Sequence, residues 1–487
     1  MGNESQKLHI LFFPFMAHGH MIPMVDIAKL FASKNLKITI LTTPLNQPLI
    51  SRQILNTQNS GSDINIRVIN FPTAESGLPE GCENFDFITS KHLGLDVINK
   101  FFVSTSFFQD PLEKILTDIR PDCLVADMLF PWTTDSAAKF GIPRLVFHGT
   151  SFFSLCTLLS IDQYKPYKNV SSHSELFIVP NLPGEIKLSG NEIPISFREE
   201  TMKETAKLFE SALESELKSF GVIVNSFYEL ESAYADHYRN FFERRAWSIG
   251  PISLYSREVQ DKAQRGNQAS ISEHECLEWL NSKKPNSVVY LCFGSIANFK
   301  ATQLKEIAVG LESSRKDFIW VVRTNTNTNP EDEHWLPEGF EERMKGKGLI
   351  IRGWAPQVLI LKHEAIGGFV THCGWNSTLE GITAGLPMVA WPTGAEQFYN
   401  QKFVTQVLKI GVSIGTQEST MYGDHNIIKN ECIEKAINRI MEGEEGEEMR
   451  RKANELREMA RKAVEEGGSS YSDTNALIDE LIKFKFH

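Results

Sequence analysis

Two groups of side chains in this 487-residue chain have the types and spacing to do chemistry. His18-Gly19-His20 directly follows the apolar run Leu8–Phe15, and Asp127 directly follows the run Cys123–Ala126. Both sit where a strand would end. An H-x-H pair can ligate a metal, but no acidic residue stands beside it; a lone Asp at such a position often caps a helix. The densest chemistry lies in Trp354–Gln401. There His372-Cys373-Gly374 closes an apolar run, and Trp375-Asn376-Ser377 opens a helical segment that stops at Gly385. Ser377 and Glu380 have capping-box spacing. The free N–H groups and positive dipole end of such a helix attract an anion. Gly374 lets a phosphate approach the backbone, and His372 can donate to one of its oxygens. The same pattern is also compatible with a capped helix that binds nothing.

The elements that must position these groups alternate along the chain. Leu8–Phe15 precedes a helical pattern over about Ile22–Ala32, and Lys37–Leu41 follows. Asp110-Pro111 reads as an N-cap and first helical residue of a helix reaching Ile119. Cys123–Ala126, Arg144–Phe147 and Gly221–Asn225 continue the strand series. A stretch dense in Pro, Asn, Ser and Gly interrupts it over 164–198. A second series comprises Val288–Phe293, Phe318–Val322, Leu349–Trp354, Gly368–Cys373 and Met388–Trp391. Near-continuous apolar strands alternating with helices predict parallel sheets covered on both faces. Ligands bind such sheets outside the strands' carboxyl ends. At the C-terminus, Met449, Ala453, Leu456, Ala460 and Ala463 share a helix face, and Gly467-Gly468 stops that helix. Ser472 or Asp473 is placed to cap a last helix carrying Leu477, Ile478, Leu481 and Ile482.

The predicted organisation is α/β: a first domain over 1–252, a polar linker over 253–280, a second domain over 281–466, and a final helix over 467–487 returning to the first domain. Residues 324–333 (TNTNTNPEDE) read as a solvated loop.

Composition removes several function classes. Fifty Lys and Arg against 61 Asp and Glu give a net charge of −11, which disfavours a nucleic-acid binder. Seven scattered cysteines form no C-x-x-C pair, so neither a disulfide framework nor a Cys-based zinc site is expected, and a reducing, cytoplasmic setting is. No apolar run approaches the length of a spanning helix, and MGNESQ resembles neither a signal peptide nor a myristoylation site. The sequon Asn169-Val170-Ser171 is read as chance. No G-x-G-x-x-G follows the first strand of either domain, which argues against a dinucleotide oxidoreductase, and no Walker A loop is present.

The Trp354–Gln401 segment resembles the signature box of plant uridine-diphosphate-sugar-dependent glycosyltransferases of secondary metabolism. Trp354-Ala355-Pro356-Gln357, HCGWNSTLEG and Ala395-Glu396-Gln397 match it without a gap. The resemblance extends over essentially the whole chain, including FFPFMAHGHMIPMVDIAKLF. It implies a GT-B architecture with two Rossmann-like domains facing a cleft, and inverting transfer from UDP-glucose to a hydroxyl of a small apolar metabolite. UDP-glucose would serve as co-substrate, with no cofactor and no metal; no D-x-D occurs to bridge a metal to a diphosphate. A monomer without nucleic-acid partners is expected.

It also implies roles. His20, ahead of Ile22-Pro23, would be the catalytic base, with Asp127 orienting it, and His18 would stand behind them. Trp354 would stack on uracil and the Ala355 backbone would pair with it. Gln357 and Glu380 would hold the ribose hydroxyls. Ser295, His372, Gly374, Asn376 and Ser377 would hold the diphosphate, while Trp375, Glu396 and Gln397 would face the sugar. Flavonoids or other phenolics are the favoured acceptors, with triterpenoids and steroids as the alternative. A non-catalytic sugar-nucleotide binder is disfavoured because both His20 and Asp127 are present. Phe85, Phe87, Phe101, Phe102, Phe107, Phe108, Phe152 and Phe153, with Trp132 and Tyr164, are candidates to line an acceptor cleft, although core or helix packing is the better account of any single one. Thr393-Gly394 departs from the bulkier pair of many relatives, which predicts a looser wall beside the sugar.

Overall fold

Runs such as Cys123–Asp127 and Val288–Cys292 are buried at every position, so each strand must be covered on both faces. The structure is a computed structural model describing residues 7–198, 200–255, 265–295, 297, 299–323, 335–420 and 426–486. The loop 324–333 and part of the expected linker, 256–264, lie outside the described residues. In chain order the strands are β1 (His9–Phe13), β2 (Lys37–Thr42), β3 (Ile64–Val68), β4 (Cys123–Asp127), β5 (Arg144–His148), β6 (Leu176–Ile178), β7 (Lys187–Ser189), β8 (Gly221–Val224), β9 (Ala246–Ser248), β10 (Val288–Cys292), β11 (Asp317–Val322), β12 (Gly348–Arg352), β13 (Ile366–Thr371), β14 (Met388–Ala390) and β15 (Gly411–Ser413).

The chain divides into two units. Unit 1 comprises Met1–Phe152, Glu199–Arg257 and Ala463–His487; unit 2 comprises Phe153–Arg198 and Glu258–Lys462. Unit 1 carries a seven-stranded sheet, β3-β2-β1-β4-β5-β8-β9, and unit 2 a six-stranded sheet, β12-β11-β10-β13-β14-β15. Every pairing in both sheets is parallel. In each, the chain reverses direction beside the first strand of its series, which creates a switch point at the carboxyl ends of β1 and β4, and of β10 and β13. The His-Gly-His segment follows β1, and Asp127 ends β4. Gly294-Ser295 and His372-Cys373-Gly374 follow the second pair.

Several local expectations are corrected. Residues 153–198 belong to unit 2 rather than to the first domain. Ser154 Oγ donates to Asn400 Oδ1 at 2.8 Å, Lys402 pairs with Glu192 at 2.7 Å, and Phe153 stacks on Phe403 at 5.1 Å between centroids. The region expected as linker contains the helix Glu273–Asn281, capped by Ser272. The first helix is His18–Ser33, so His18 and His20 stand in its first turn rather than in a loop before it. Asp110-Pro111 lies inside the helix Gln109–Ile119, not at its cap. The last helix begins at Ser469, after Gly467 in the left-handed region (φ +84°), so neither Ser472 nor Asp473 caps it. Asp473 instead accepts the Ser248 N–H at 2.8 Å and pairs with Arg239 at 3.2 Å, while Leu477, Ile478 and Leu481 enter the unit 1 core.

Candidate active site

In unit 1, Asp127 is the last residue of β4 and is fully buried; His20 projects from the first turn of helix His18–Ser33. Their side chains meet, with His20 Nδ1 2.7 Å from Asp127 Oδ2. Asp127 is held from two other sides, once at its carboxylate and once at its main-chain carbonyl. Its Oδ1 accepts the Leu129 N–H at 3.0 Å, and buried Arg144 donates to the Asp127 carbonyl at 3.0 Å. A carboxylate that can only accept at this site puts the imidazole proton on Nδ1 and leaves the Nε2 lone pair to take another. The His20 ring is 26% exposed, and Phe15 supports it edge-on at 5.4 Å between centroids. A Cβ on Gly149 would meet the ring at 3.5 Å, in ordinary contact. This is the geometry of a general base with an orienting acid.

His18 is engaged elsewhere. Its Nδ1 lies 2.8 Å from Asp86 Oδ2, and Asp86 also accepts the His18 N–H at 2.7 Å. The second histidine therefore ties the start of the helix to the segment Phe85–Ser90. Most of the aromatic residues expected to line a cleft are core. Phe101, Phe108, Phe152 and Phe153 are fully buried and Phe85 and Phe102 nearly so, whereas Phe87, Phe107 and Tyr164 are exposed. Phe15, absent from the expected set, links His20 to this cluster through Phe101 and Phe102.

In unit 2, the helix Trp375–Ala384 starts after Cys373, whose left-handed φ of +64° is strained for a residue with a side chain. Asn400, fully buried, secures that turn by donating to the Cys373 carbonyl at 2.8 Å. The expected capping box does not form. The N-cap is Gly374, and Ser377 and Glu380 face Gln357 instead. Gln357 Nε2 donates to Ser377 Oγ at 3.0 Å and to Glu380 Oε2 at 2.8 Å. Tyr290 donates to Gln357 Oε1 at 3.4 Å. Residues 357, 377 and 380 thus form one polar network beside the helix N-terminus.

His372 is wedged between two glycines: a Cβ on Gly294 would lie 2.5 Å from Cε1 and one on Gly374 2.4 Å from Nε2. Its Nδ1 is buried without a hydrogen-bond partner among the described residues. Burial pushes its pKa down to about 4, so the ring is neutral at pH 7 and offers one N–H beside a helix N-terminus, which suits an anion. Ser295 is half-buried in the turn after β10. Ala355 is buried, with its carbonyl accepting the Gln357 N–H at 2.8 Å; Trp354 and Asn376 are half-buried.

Two expectations at the sugar end change. Trp375 is 1% exposed and packs on Phe403, so its indole lies in the interior rather than on the surface of the site. The wall at Thr393-Gly394 is not loose. A Cβ on Gly394 would meet the Thr420 carbonyl at 2.5 Å, so backbone occupies the space a larger residue would fill. Gln397 Oε1 accepts from Thr393 N and Oγ1, both at 2.8 Å, and from Gly394 N at 3.1 Å. Three converging donors identify that atom as oxygen and leave the Gln397 amide N–H2 to donate. Glu396, half-buried, precedes the helix Gln397–Lys402 and approaches Asn400 at 3.4 Å. Among the described residues, no group of three or more His, Cys, Asp or Glu side chains is arranged to hold a metal, and no helix is long and apolar enough to cross a membrane.

Sequence reading missed Arg144, Asn400, Asp86, Arg265 and Ser270. The last two flank Glu380 and Trp354, inside a polar stretch without periodicity. None of the five carries a local signal, because each acts on a partner more than fifteen residues away.

His372 and His9, the histidines pushed furthest down, make a stability prediction. Burial, with the nearby Lys37 cation, also brings His9 to about 4. In the folded chain both rings stay neutral where unfolded histidine, with a pKa near 6.5, takes a proton. Stability is therefore full above pH 6.5 and declines as pH falls from 6.5 towards 4. Urea midpoints measured at pH 7.5, 6 and 5 should decrease in that order, and the decrease should be smaller in His9→Gln. A midpoint unchanged between pH 7.5 and 5 contradicts the assignment.

A family profile described as UDP-glucoronosyl and UDP-glucosyl transferase matches residues 173–442. The scopoletin glucosyltransferase of Nicotiana tabacum is 55% identical over 477 residues, covering 98% of each chain. UDP-glucose flavonoid 3-O-glucosyltransferase 7 of Fragaria ananassa is 53% identical over 491 residues, covering 99% of this chain and 98% of its own. Among solved structures, Glycyrrhiza uralensis UGT73P12 complexed with glycyrrhetinic acid 3-O-monoglucuronide superposes with a TM-score of 0.90 at 38% identity, covering 99% of this chain and 97% of that one.

Proposed function

The chain belongs to the UDP-glucosyl transferase family and has its GT-B fold, and from that premise we propose that it transfers glucose from UDP-glucose to a phenolic hydroxyl, giving a β-O-glucoside. The observation that carries the catalytic half of this reading is the His20–Asp127 pair. His20 Nε2 removes the acceptor's hydroxyl proton as the oxygen attacks the anomeric carbon, and Asp127 stabilises the resulting imidazolium. Uridine diphosphate leaves from the opposite face, so the α linkage of the donor becomes β in the product. The departing charge falls to the N-terminus of helix Trp375–Ala384, with His372 and Ser295 as donors. One protein base suffices because the leaving group is already good; a glycoside hydrolase would need two flanking carboxylates.

For the nucleoside, Trp354 offers a face to uracil, and Gln357 and Glu380 offer an amide and a carboxylate to the vicinal ribose hydroxyls. Phenolic acceptors are favoured by the names of the tobacco and strawberry relatives. A triterpenoid or steroid acceptor is the second reading, beside which stands the Glycyrrhiza structure complexed with glycyrrhetinic acid 3-O-monoglucuronide. A cytoplasmic setting is supported by seven cysteines that are all free, six of them buried. The direct test is a panel of hydroxylated phenolics and triterpenoids with UDP-glucose, with products identified by mass spectrometry and NMR. No glucoside from any acceptor, or an α-linked one, overturns the reading.

Donor choice falls in this reading to Gln397, whose amide N–H2 is left to donate to a sugar hydroxyl. UDP-galactose places its 4-hydroxyl differently, and a site built to bond a hydroxyl rejects an analogue that misplaces it. UDP-glucuronate brings a carboxylate that calls for an Arg, which the segment 374–378 lacks. With one good acceptor, kcat/KM should be highest for UDP-glucose, and Gln397→Ala should lower it. Equal values for glucose and galactose, or undiminished UDP-glucose use in Gln397→Ala, removes Gln397 from the selection.

A further inference from the structure

The residues Arg265–Ser270 lie against the nucleoside end of the candidate donor site at two points. At one, Ser270 and Trp354 exchange hydrogen bonds: Ser270 N donates to the Trp354 carbonyl at 2.8 Å, and Trp354 N donates to Ser270 Oγ at 3.0 Å. The approach is close enough to require glycine beside it. Gly353 sits at φ +126°, and a Cβ there would lie 2.1 Å from Ser270 Oγ. At the other point, Arg265 Nη1 pairs with Glu380 Oε1, and the two side chains are only 10% and 6% exposed. All four residues belong to unit 2.

The chemistry at Glu380 conflicts with its proposed use. A ribose 2′,3′-diol is recognised by a carboxylate through two acceptor oxygens. Here Oε1 is committed to Arg265 and Oε2 to the Gln357 amide. The Gln357 amide belongs to the same nucleoside network and can share the diol. The guanidinium carries a full charge and holds its oxygen in a nearly water-free place, where a charge-assisted pair is strong. Ser270, five residues further on, is anchored to Trp354 by its own N–H and Oγ, whatever the Arg265 side chain does. The segment can therefore remain docked on Trp354 while one side chain leaves Glu380.

We propose that Arg265 occupies the ribose-binding carboxylate Glu380 when no donor is present and is displaced by the ribose hydroxyls, so that it sets the affinity for the uridine nucleotide. This rests on the reading of Glu380 as a ribose ligand. Part of the nucleotide's binding free energy is spent on breaking the pair, which lowers its apparent affinity in proportion to the fraction of protein with Glu380 free.

The test is calorimetric titration of UDP into the full-length protein and its variants. Arg265→Met, which keeps the apolar stem, should bind UDP about five-fold or more tighter than the unaltered chain. Arg265→Lys should fall between. Glu380→Gln should bind UDP at least about ten-fold more weakly, as loss of a charged acceptor implies. Adding Arg265→Met to Glu380→Gln should then change nothing further. Equal or weaker UDP binding by a folded Arg265→Met protein, as when the guanidinium itself contacts the nucleotide, overturns the exchange. Thermal unfolding of each variant shows that it is folded; if Arg265→Met does not fold, the Arg265→Lys affinity decides by the same criterion. UDP binding unchanged in Glu380→Gln would instead overturn the ribose assignment itself, a distinct failure.

Discussion

Replacing His20 with alanine lowers kcat by about 10²–10⁴, the range for loss of a positioned general base, while UDP binds as before. Two other His–carboxylate pairs in the described part of unit 1 are more enclosed than this one, whose His20 ring is 26% exposed. His18 is held by Asp86, and His148 is 1% exposed and paired with Glu216, whose carboxyl is kept low by His148 and Arg244 against its burial. UDP affinity should be preserved because the residues assigned to the nucleotide all come from unit 2. The size of the loss should depend on the acceptor. An acidic phenol, already partly ionised, needs the base least, and an aliphatic alcohol needs it most. Steady-state rates with both acceptor types, together with UDP titration, test this. Near-normal transfer to an aliphatic alcohol in His20→Ala would show that another group removes the proton.

Asp127→Asn is expected to cost a similar factor, about 10²–10⁴, although it removes no atom that touches substrate. The reason lies in which oxygen does what. Asp127 Oδ1 accepts the Leu129 N–H, so the oxygen of an asparagine must stay there. The amide N–H2 is then left facing His20 Nδ1, where Oδ2 stood at 2.7 Å. An N–H2 there can only donate, which drives the imidazole proton to Nε2 and abolishes the lone pair that takes the acceptor proton. The substitution is nearly isosteric, so the fold should persist despite full burial of the site. Because both residues serve one proton transfer, the double variant His20→Ala with Asp127→Asn should be no worse than His20→Ala alone. Rates for Asp127→Asn within a few-fold of the unaltered enzyme, or losses that multiply in the double variant, would show that Asp127 is only structural.

What could be read from the residues in order was whatever depends on near neighbours. The uninterrupted apolar runs at Cys123–Ala126 and Val288–Phe293 made two parallel sheets legible, because a strand buried on both faces has no polar face to show. In those sheets, three strands that are short or mixed in exposure escaped. β3 (Ile64–Val68) is buried at only one position, and β9 and β15 have three residues each. The contiguous segment Trp354–Gln401 contained most of the donor-site candidates, since the turns after β12, β13 and β14 and the helices that follow them supply them.

Where two distant residues had to meet, only the tertiary structure decided. It brought His20 onto Asp127 across 107 positions, and His18 onto Asp86 across 68. It turned Ser377 and Glu380, which read as a helix cap, towards Gln357, because Gly374 already supplied the N-cap. It drew Trp375 into the interior and filled the space beside Gly394 with the Thr420 carbonyl. Arg265, which read as linker, met Glu380 across 115 positions. By itself the sequence determined the strands, the turn glycines and the chemical kinds available at the carboxyl ends, since these follow from local sterics and burial. Which of those groups became partners followed from sheet order and loop packing, which no local pattern encodes.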